Sequence, residues 1–220
     1  MALTKFNYNS FDVTSAASTA LGFNANANGF ATINPGSMTL IKTLTASSSS
    51  TLSFVDGSSD VVLDNTYPVY LFKFINIHPA TNDYHFMLNF SIDSGSNYNV
   101  TKTTTYFRAR HKEDDNTAEL GYSSGFDIAQ GTGDVTIFDS VSTNNDASWS
   151  GEMYLFNPSS TTFVKHFISR IQGMSNSPLS NDVYSAGYAN TTSAVNGVKF
   201  LVNSGNIDAG TIKLYGIKDS

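Results

Sequence analysis

Between Tyr84 and Asp93 the chain alternates residue by residue. Tyr84, Phe86, Leu88, Phe90 and Ile92 fall on one side of an extended backbone, and His85, Met87, Asn89, Ser91 and Asp93 fall on the other. Successive side chains of a strand point to opposite faces, so this run predicts a strand with one buried face and one wetter face. A nearly continuous apolar run, Val69 to Ile77, predicts a central strand covered on both faces. Around Asn157-Pro158 a compact turn separates Met153-Tyr154-Leu155-Phe156 from Phe163-Val164-Lys165-His166-Phe167. Proline presets its own φ and pushes the residue before it out of the helical region, and the aromatic and β-branched flanks suit a pleated surface. The unit therefore reads as a β-hairpin.

The same grammar extends from Met38 to the C-terminus. It predicts strands at Met38 to Thr45, Thr51 to Val55, Val69 to Ile77, Tyr84 to Ile92, Asn99 to His111 and Val135 to Val141. Further strands are predicted at Trp149 to Phe156, Phe163 to Ile171, Val183 to Tyr188, Val195 to Val202 and Thr211 to Ile217. Between them lie Ser47 to Ser50, Asp56-Gly57, Asp93 to Asn97, Asn144 to Asp146 and Asn203 to Asn206. Gly and Asn tolerate positive φ, and Ser and Asp bond their own backbone, so these are turns. Helical periodicity competes only near Gly131 and in a short turn from Asp115 to Leu120. The expectation is an all-β fold: an antiparallel two-sheet β-sandwich, of jelly-roll type, over residues 37–220. Phe72, Phe74, Tyr84, Phe86, Leu88, Phe90, Leu155, Phe167, Phe200 and Leu214 are its predicted core.

Residues 1–36 differ from the rest. They are rich in Ala, Asn, Ser and Thr, with scattered aromatics and no sustained period, and they close with Asn34-Pro35-Gly36. They read as an N-terminal arm, extended or partly stranded. Phe6, Tyr8, Phe11, Phe23 and Phe30 are its candidate docking residues, because such rings are too apolar to stay solvated. A homo-oligomer, with a trimer ahead of other states, is the expected consequence.

Composition narrows the chemistry. The 220 residues hold 18 acids and 12 bases, for a net charge of −6, and charged residues are only 14%. An acidic excess without clustered Lys and Arg argues against a nucleic-acid-binding surface. The densest charged run, Arg108 to Glu119, changes sign midway and reads as a solvated loop or strand end. With no cysteine, disulfides, thiolate metal sites and thiol nucleophiles are excluded. No apolar run approaches the ~18 residues that would predict a membrane span, so no membrane insertion is expected. The opening Met1-Ala2-Leu3-Thr4-Lys5 lacks the apolar segment of a signal peptide. His78, His85, His111 and His166 show no metal-binding spacing and read as structural. Asp93 to Asn97 and Glu113 to Asp115 offer calcium-type oxygens but match no EF-hand loop. No G-x-S-x-G, P-loop or dinucleotide fingerprint occurs. Glu113, Glu119 and Glu152 supply no pair assignable to glycoside hydrolysis, and Glu152 reads as an outward rim residue. The expectation is a non-enzymatic protein with no cofactor. Aromatics make up 13% of the chain; most alternate and read as core. Tyr98, Tyr122, Trp149 and Tyr188 lie near loops and are the candidates for surface recognition.

Several stretches carry a resemblance. Asn76 to Thr81, Ser94 to Thr105, Phe156 to Phe167, Ala186 to Val195 and Gly210 to Lys218 resemble virion structural proteins of marine tailed bacteriophages, the cyanophage-like ones in particular. The likeness covers roughly residues 38–218, and the short opening Ala2 to Lys5 is similar to that of phage tail-fibre and appendage proteins. The resemblance implies a virion protein assembled in host cytoplasm, contacting other virion proteins and placed in the tail apparatus as part of a fibre or its attachment. It transfers no catalytic residue. Capsid decoration is the alternative within that class. A carbohydrate-binding or glycan-cleaving module acting on host surface glycans is the alternative from another class, with contacts at Ser94 to Tyr98, Gly121 to Ser124 and Asn144 to Trp149.

Overall fold

The computed structural model describes residues 20–23, 30–33 and 37–218. The chain divides into two compact units, one ending at Thr39 and one beginning at Leu40. In the first, β1 (Ala20–Phe23) pairs antiparallel with β2 (Phe30–Ile33). Phe23 lies directly opposite Phe30 with the rings stacked at 5.3 Å, an aromatic cross-strand pair of the kind that fixes a hairpin register. Both rings are exposed. Phe6, Tyr8 and Phe11 lie outside the described residues.

The strands that follow are β3 (Met38–Thr45), β4 (Thr51–Val55), β5 (Val69–Pro79), β6 (Phe86–Ser91), β7 (Lys102–Lys112), β8 (Ala118–Tyr122), β9 (Val135–Phe138), β10 (Trp149–Phe156), β11 (Lys165–Met174), β12 (Leu179–Ala189), β13 (Gly197–Val202) and β14 (Ile207–Ile217). They form two antiparallel sheets and no helix occurs among the described residues, so the expected β-sandwich stands. The large sheet has eight strands in the order β3-β14-β5-β10-β11-β12-β7-β8, and the small one has four in the order β4-β13-β6-β9. A jelly roll is an eight-stranded design; here the strands divide eight to four.

The core fills the space between the sheets. Phe200 of β13 touches Phe54 of β4, Phe86 of β6, and Phe72 and Phe74 of β5, so one ring knits strands of both sheets. Edge-to-face geometry dominates these pairs, which sets ring edges against π faces and adds specificity to burial. Every predicted core residue is buried except Tyr84, which is half-buried and packs against the cluster from just before β6.

Four expectations are corrected. The segment near Asp115 to Leu120 is not a helical turn: residues 118–122 form β8, paired with Phe107 to His111. Asp115 takes the left-handed φ of 61° that lets the chain reverse there. Strand β5 is central but covered on one face only. Tyr70, Phe72 and Phe74 enter the core, while Lys73 and Ile75 face outward, and only Leu71 is shielded on that side, between Tyr154 and Tyr215. The wetter face of β6 is in fact covered, with Asn89 and Ser91 both buried. Asn89 donates to Thr132 O and Asp134 Oδ1 and accepts from Lys102 Nζ, so the polar side chain is satisfied where it sits. Finally, the run from Arg108 to Glu119 is not wholly solvated, because Arg108 turns inward to the buried Asp139.

Candidate functional site on the outer face of the large sheet

Cross-strand register places the outward side chains of the large sheet in rows. One row runs Tyr215, Leu71, Tyr154, Ile168, Ala186, Thr105. The next runs Lys213, Lys73, Glu152, Arg170, Tyr184, Phe107, Tyr122. The alternation of β11 is complete: Lys165, Phe167, Ser169, Ile171 and Gly173 are buried, whereas His166, Ile168, Arg170 and Gln172 are exposed. Such a face is ordinarily polar. Here Ile75, Phe107, Ile168, Leu120 and Tyr122 are exposed on it.

The second row has internal order. Phe107 stacks flat on Tyr184, with centroids 4.9 Å apart and planes 2° from parallel. Arg170 lies over the other side of that pair, 5.0 Å from the Tyr184 ring, and its guanidinium donates to both carboxylate oxygens of Asp182. This bidentate hydrogen bond raises the Arg170 pKa further. Lys73 pairs with Glu152 at 3.6 Å; Glu152 faces outward, but from β10 inside the sheet and not from a rim.

Beside this row lies a trough of about 450 Å³, walled by Thr103, Thr105, His166, Ile168 and Tyr188, with Ala186 as its low point. A polar network borders it. Asn190 Nδ2 donates to Gln130 Oε1, and Gln130 Nε2 donates to Thr103 Oγ1 and, at 3.4 Å, to Tyr188 Oη.

The recognition candidates separate. Tyr188 stands in the trough wall, with its ring 6.1 Å from that of His166. Tyr122 is exposed at the sheet's end and donates to Asp127, whose hydrogen bond raises the phenol's pKa. Tyr98 lies elsewhere, half-buried under the ammonium of Lys199 at 5.2 Å. Trp149 is a correction: it is 1% exposed and belongs to the core, because the loop before it ends at Ser148 and the first residue of β10 already points inward. Phe107, Ile168, Tyr184 and Arg170 were not singled out from sequence. Their signal was the alternation itself, since an apolar residue out of phase with a strand's buried set must face outward.

Inside the sandwich a second polar group is present. The carboxylate of Asp139 accepts from Tyr106 Oη at 2.5 Å, Asn181 Nδ2 at 3.0 Å, Ser140 Oγ and Arg108. Phe126 closes it, packed edge-on against Tyr106 and His85 and beneath Arg108. Burial lowers the His85 pKa and raises that of Tyr106. Among the described residues no group of three His, Asp or Glu is placed to hold a metal ion. Asp93 spends its oxygens on Ser91 and Asn97 instead. Comparison with protein-family models, curated proteins and solved structures gives no match.

Proposed function

We propose that this protein works by contact and not by catalysis, as a structural component of a tailed-phage virion, with its place in the tail apparatus. The observation that carries this reading is the outer face of the large sheet, where Phe107, Leu120 and Tyr122 are exposed side by side on β7 and β8, with Ile168 two strands away on β11. Apolar groups grouped on one face of a polar protein mark a surface that meets another surface. The ring stack of Phe107 and Tyr184 and the Arg170–Asp182 fork hold that face in shape without a partner, so contact costs little ordering. The resemblance over residues 38–218 supplies the virion context. Quantitative mass spectrometry of purified particles from the genome encoding this chain tests it. Tens of copies or fewer fit the tail, hundreds fit a capsid decoration protein, and absence from the particle refutes the reading.

A second reading rests on the trough at Ala186. Ring faces of His166 and Tyr188 beside the neutral amides of Gln130 and Asn190 offer the stacking and hydrogen-bonding groups that a neutral sugar accepts. A glycan array with wild type and Tyr188→Ala tests this, with binding lost in the variant as the supporting result.

A further inference from the structure

Strand β8 ends the large sheet, and all five of its residues are exposed. Its backbone polarity follows from the ladder it shares with β7. Lys112 N donates to Thr117 O, and Ser123 N donates to Tyr106 O. These bonds lie in the same register as the pairs Arg110–Glu119 and Arg108–Gly121. Hydrogen-bonded and non-hydrogen-bonded pairs alternate in an antiparallel ladder. Glu119 and Gly121 therefore bond to β7, whereas the N–H and C=O groups of Ala118, Leu120 and Tyr122 point away from the sheet. Sheet edges are ordinarily blunted by lysine, proline or a bulge. The opposite edge strand, β3, carries Lys42; the five-residue Ala118-Glu119-Leu120-Gly121-Tyr122 has no lysine, proline or bulge, and its one charge, Glu119, is paired with Arg110.

We infer that β8 pairs antiparallel with β8 of a second copy of this chain, in a register centred on Leu120, extending the large sheet across a two-fold axis. The five residues complement themselves in that register. Leu120 meets Leu120, the small Ala118 meets the large Tyr122, and Glu119 meets Gly121, so no like charges are opposed. The outward groups of Ala118, Leu120 and Tyr122 supply the hydrogen-bonded pairs. Shifting the register by one residue would set these groups against the bonded groups of Glu119 and Gly121, and the ladder would not close. Glu119 is further neutralised by Arg110 of its own β7, at 2.7 Å. The contact is small, so it is weak in free solution and strengthens where copies are held together on a particle. An isologous contact closes at two copies, and the trimer expected from the arm would need a different surface. The inference rests on the proposed contact role and names the edge through which copies meet.

The chain has no cysteine, so Leu120→Cys introduces a single thiol. In a hydrogen-bonded antiparallel pair the facing Cα atoms are about 5.5 Å apart, within disulfide reach. Mild oxidation should convert Leu120→Cys to covalent dimer, and Phe163→Cys, also well exposed but off this edge, should stay monomeric. In sedimentation of the full chain, Leu120→Lys should weaken self-association about tenfold or more. Its side chain is 77% exposed, so the fold has no reason to suffer, and an unchanged melt checks this. No Leu120→Cys dimer above the control overturns the inference. So does self-association that Leu120→Lys leaves intact, in which case the contact role survives through another surface.

Discussion

Trp149 of the large sheet lies on Phe138 of the small one, with ring centroids 5.7 Å apart and planes 14° from parallel. Gly173 makes room for the pair. A Cβ there would stand 2.5 Å from Trp149 Cβ and 2.9 Å from Phe138 Cζ. Trp149→Ala should cost about 3–5 kcal/mol, and Trp149→Phe markedly less. Because Trp149 is the only tryptophan, its emission should be blue-shifted in the native protein and should report the main unfolding transition. Denaturant titrations followed by fluorescence in wild type, and by circular dichroism in the variants, measure this.

Asp139 is the acceptor on which Tyr106, Arg108 and Asn181 converge. Asp139→Ala leaves a largely buried guanidinium without its partner and two donors without an acceptor. A loss of about 3–5 kcal/mol is expected from chemical denaturation. The Asp139→Ala, Arg108→Met double variant should recover part of that loss, since no uncompensated charge then remains.

Stability should rise between pH 8 and 10. Lys102 is fully buried, its ammonium held by Asn89 Oδ1, Val100 O and Thr132 O with no carboxylate bonded to it. Burial lowers its pKa from 10.5 to about 8 and also lowers that of Lys165, held by two backbone carbonyls. Over this interval the unfolded chain binds more protons than the folded one, so raising pH favours folding. Above about 10 the sign reverses, because the pKa values of Tyr70 and Tyr106 are raised by burial and the folded state then keeps the extra protons. Denaturation midpoints from pH 7 to 11 should pass through a maximum, and Lys102→Met should flatten the rising limb.

Gly210 adopts a φ of 110°, and a Cβ there would lie 2.6 Å from both Asn76 O and Ile77 Cα. Its strand is irregular against β5 at this point, where Asn76 itself takes a positive φ. Gly210→Ala should lower stability by about 1–3 kcal/mol, with Thr211→Ala near neutral. Thermal melts of the two variants separate backbone strain from general disturbance of β14.

Period-two patterning carried most of this fold into view. Met38 to Thr45, Thr51 to Val55 and Trp149 to Phe156 agree residue for residue with their strands, because each is bounded by turn residues acting through their own chemistry. Strand β8 escaped because Ala118-Glu119-Leu120-Gly121-Tyr122 alternates but buries nothing, and its order comes from β7. Trp149 was misplaced because proximity to a loop in sequence says nothing of which way the first strand residue points. The outer face was legible only in retrospect. That Ile168 and Phe107 are out of phase with their buried neighbours is written in the chain, but their alignment across β11, β12 and β7 depends on register set by distant pairings.

Strand β14 follows the other described strands in the chain, yet it lies between β3 and β5 in the large sheet. A strand made late must enter between two made earlier. Until β14 is made, β3 and β5 each present an open ladder that β14 fills. Such non-local closure is slow and leaves sheet edges exposed to other nascent chains. Synthesis of this protein therefore has a deadline: where many copies are made at once, each must complete the sheet before a neighbour's strand takes the vacant place.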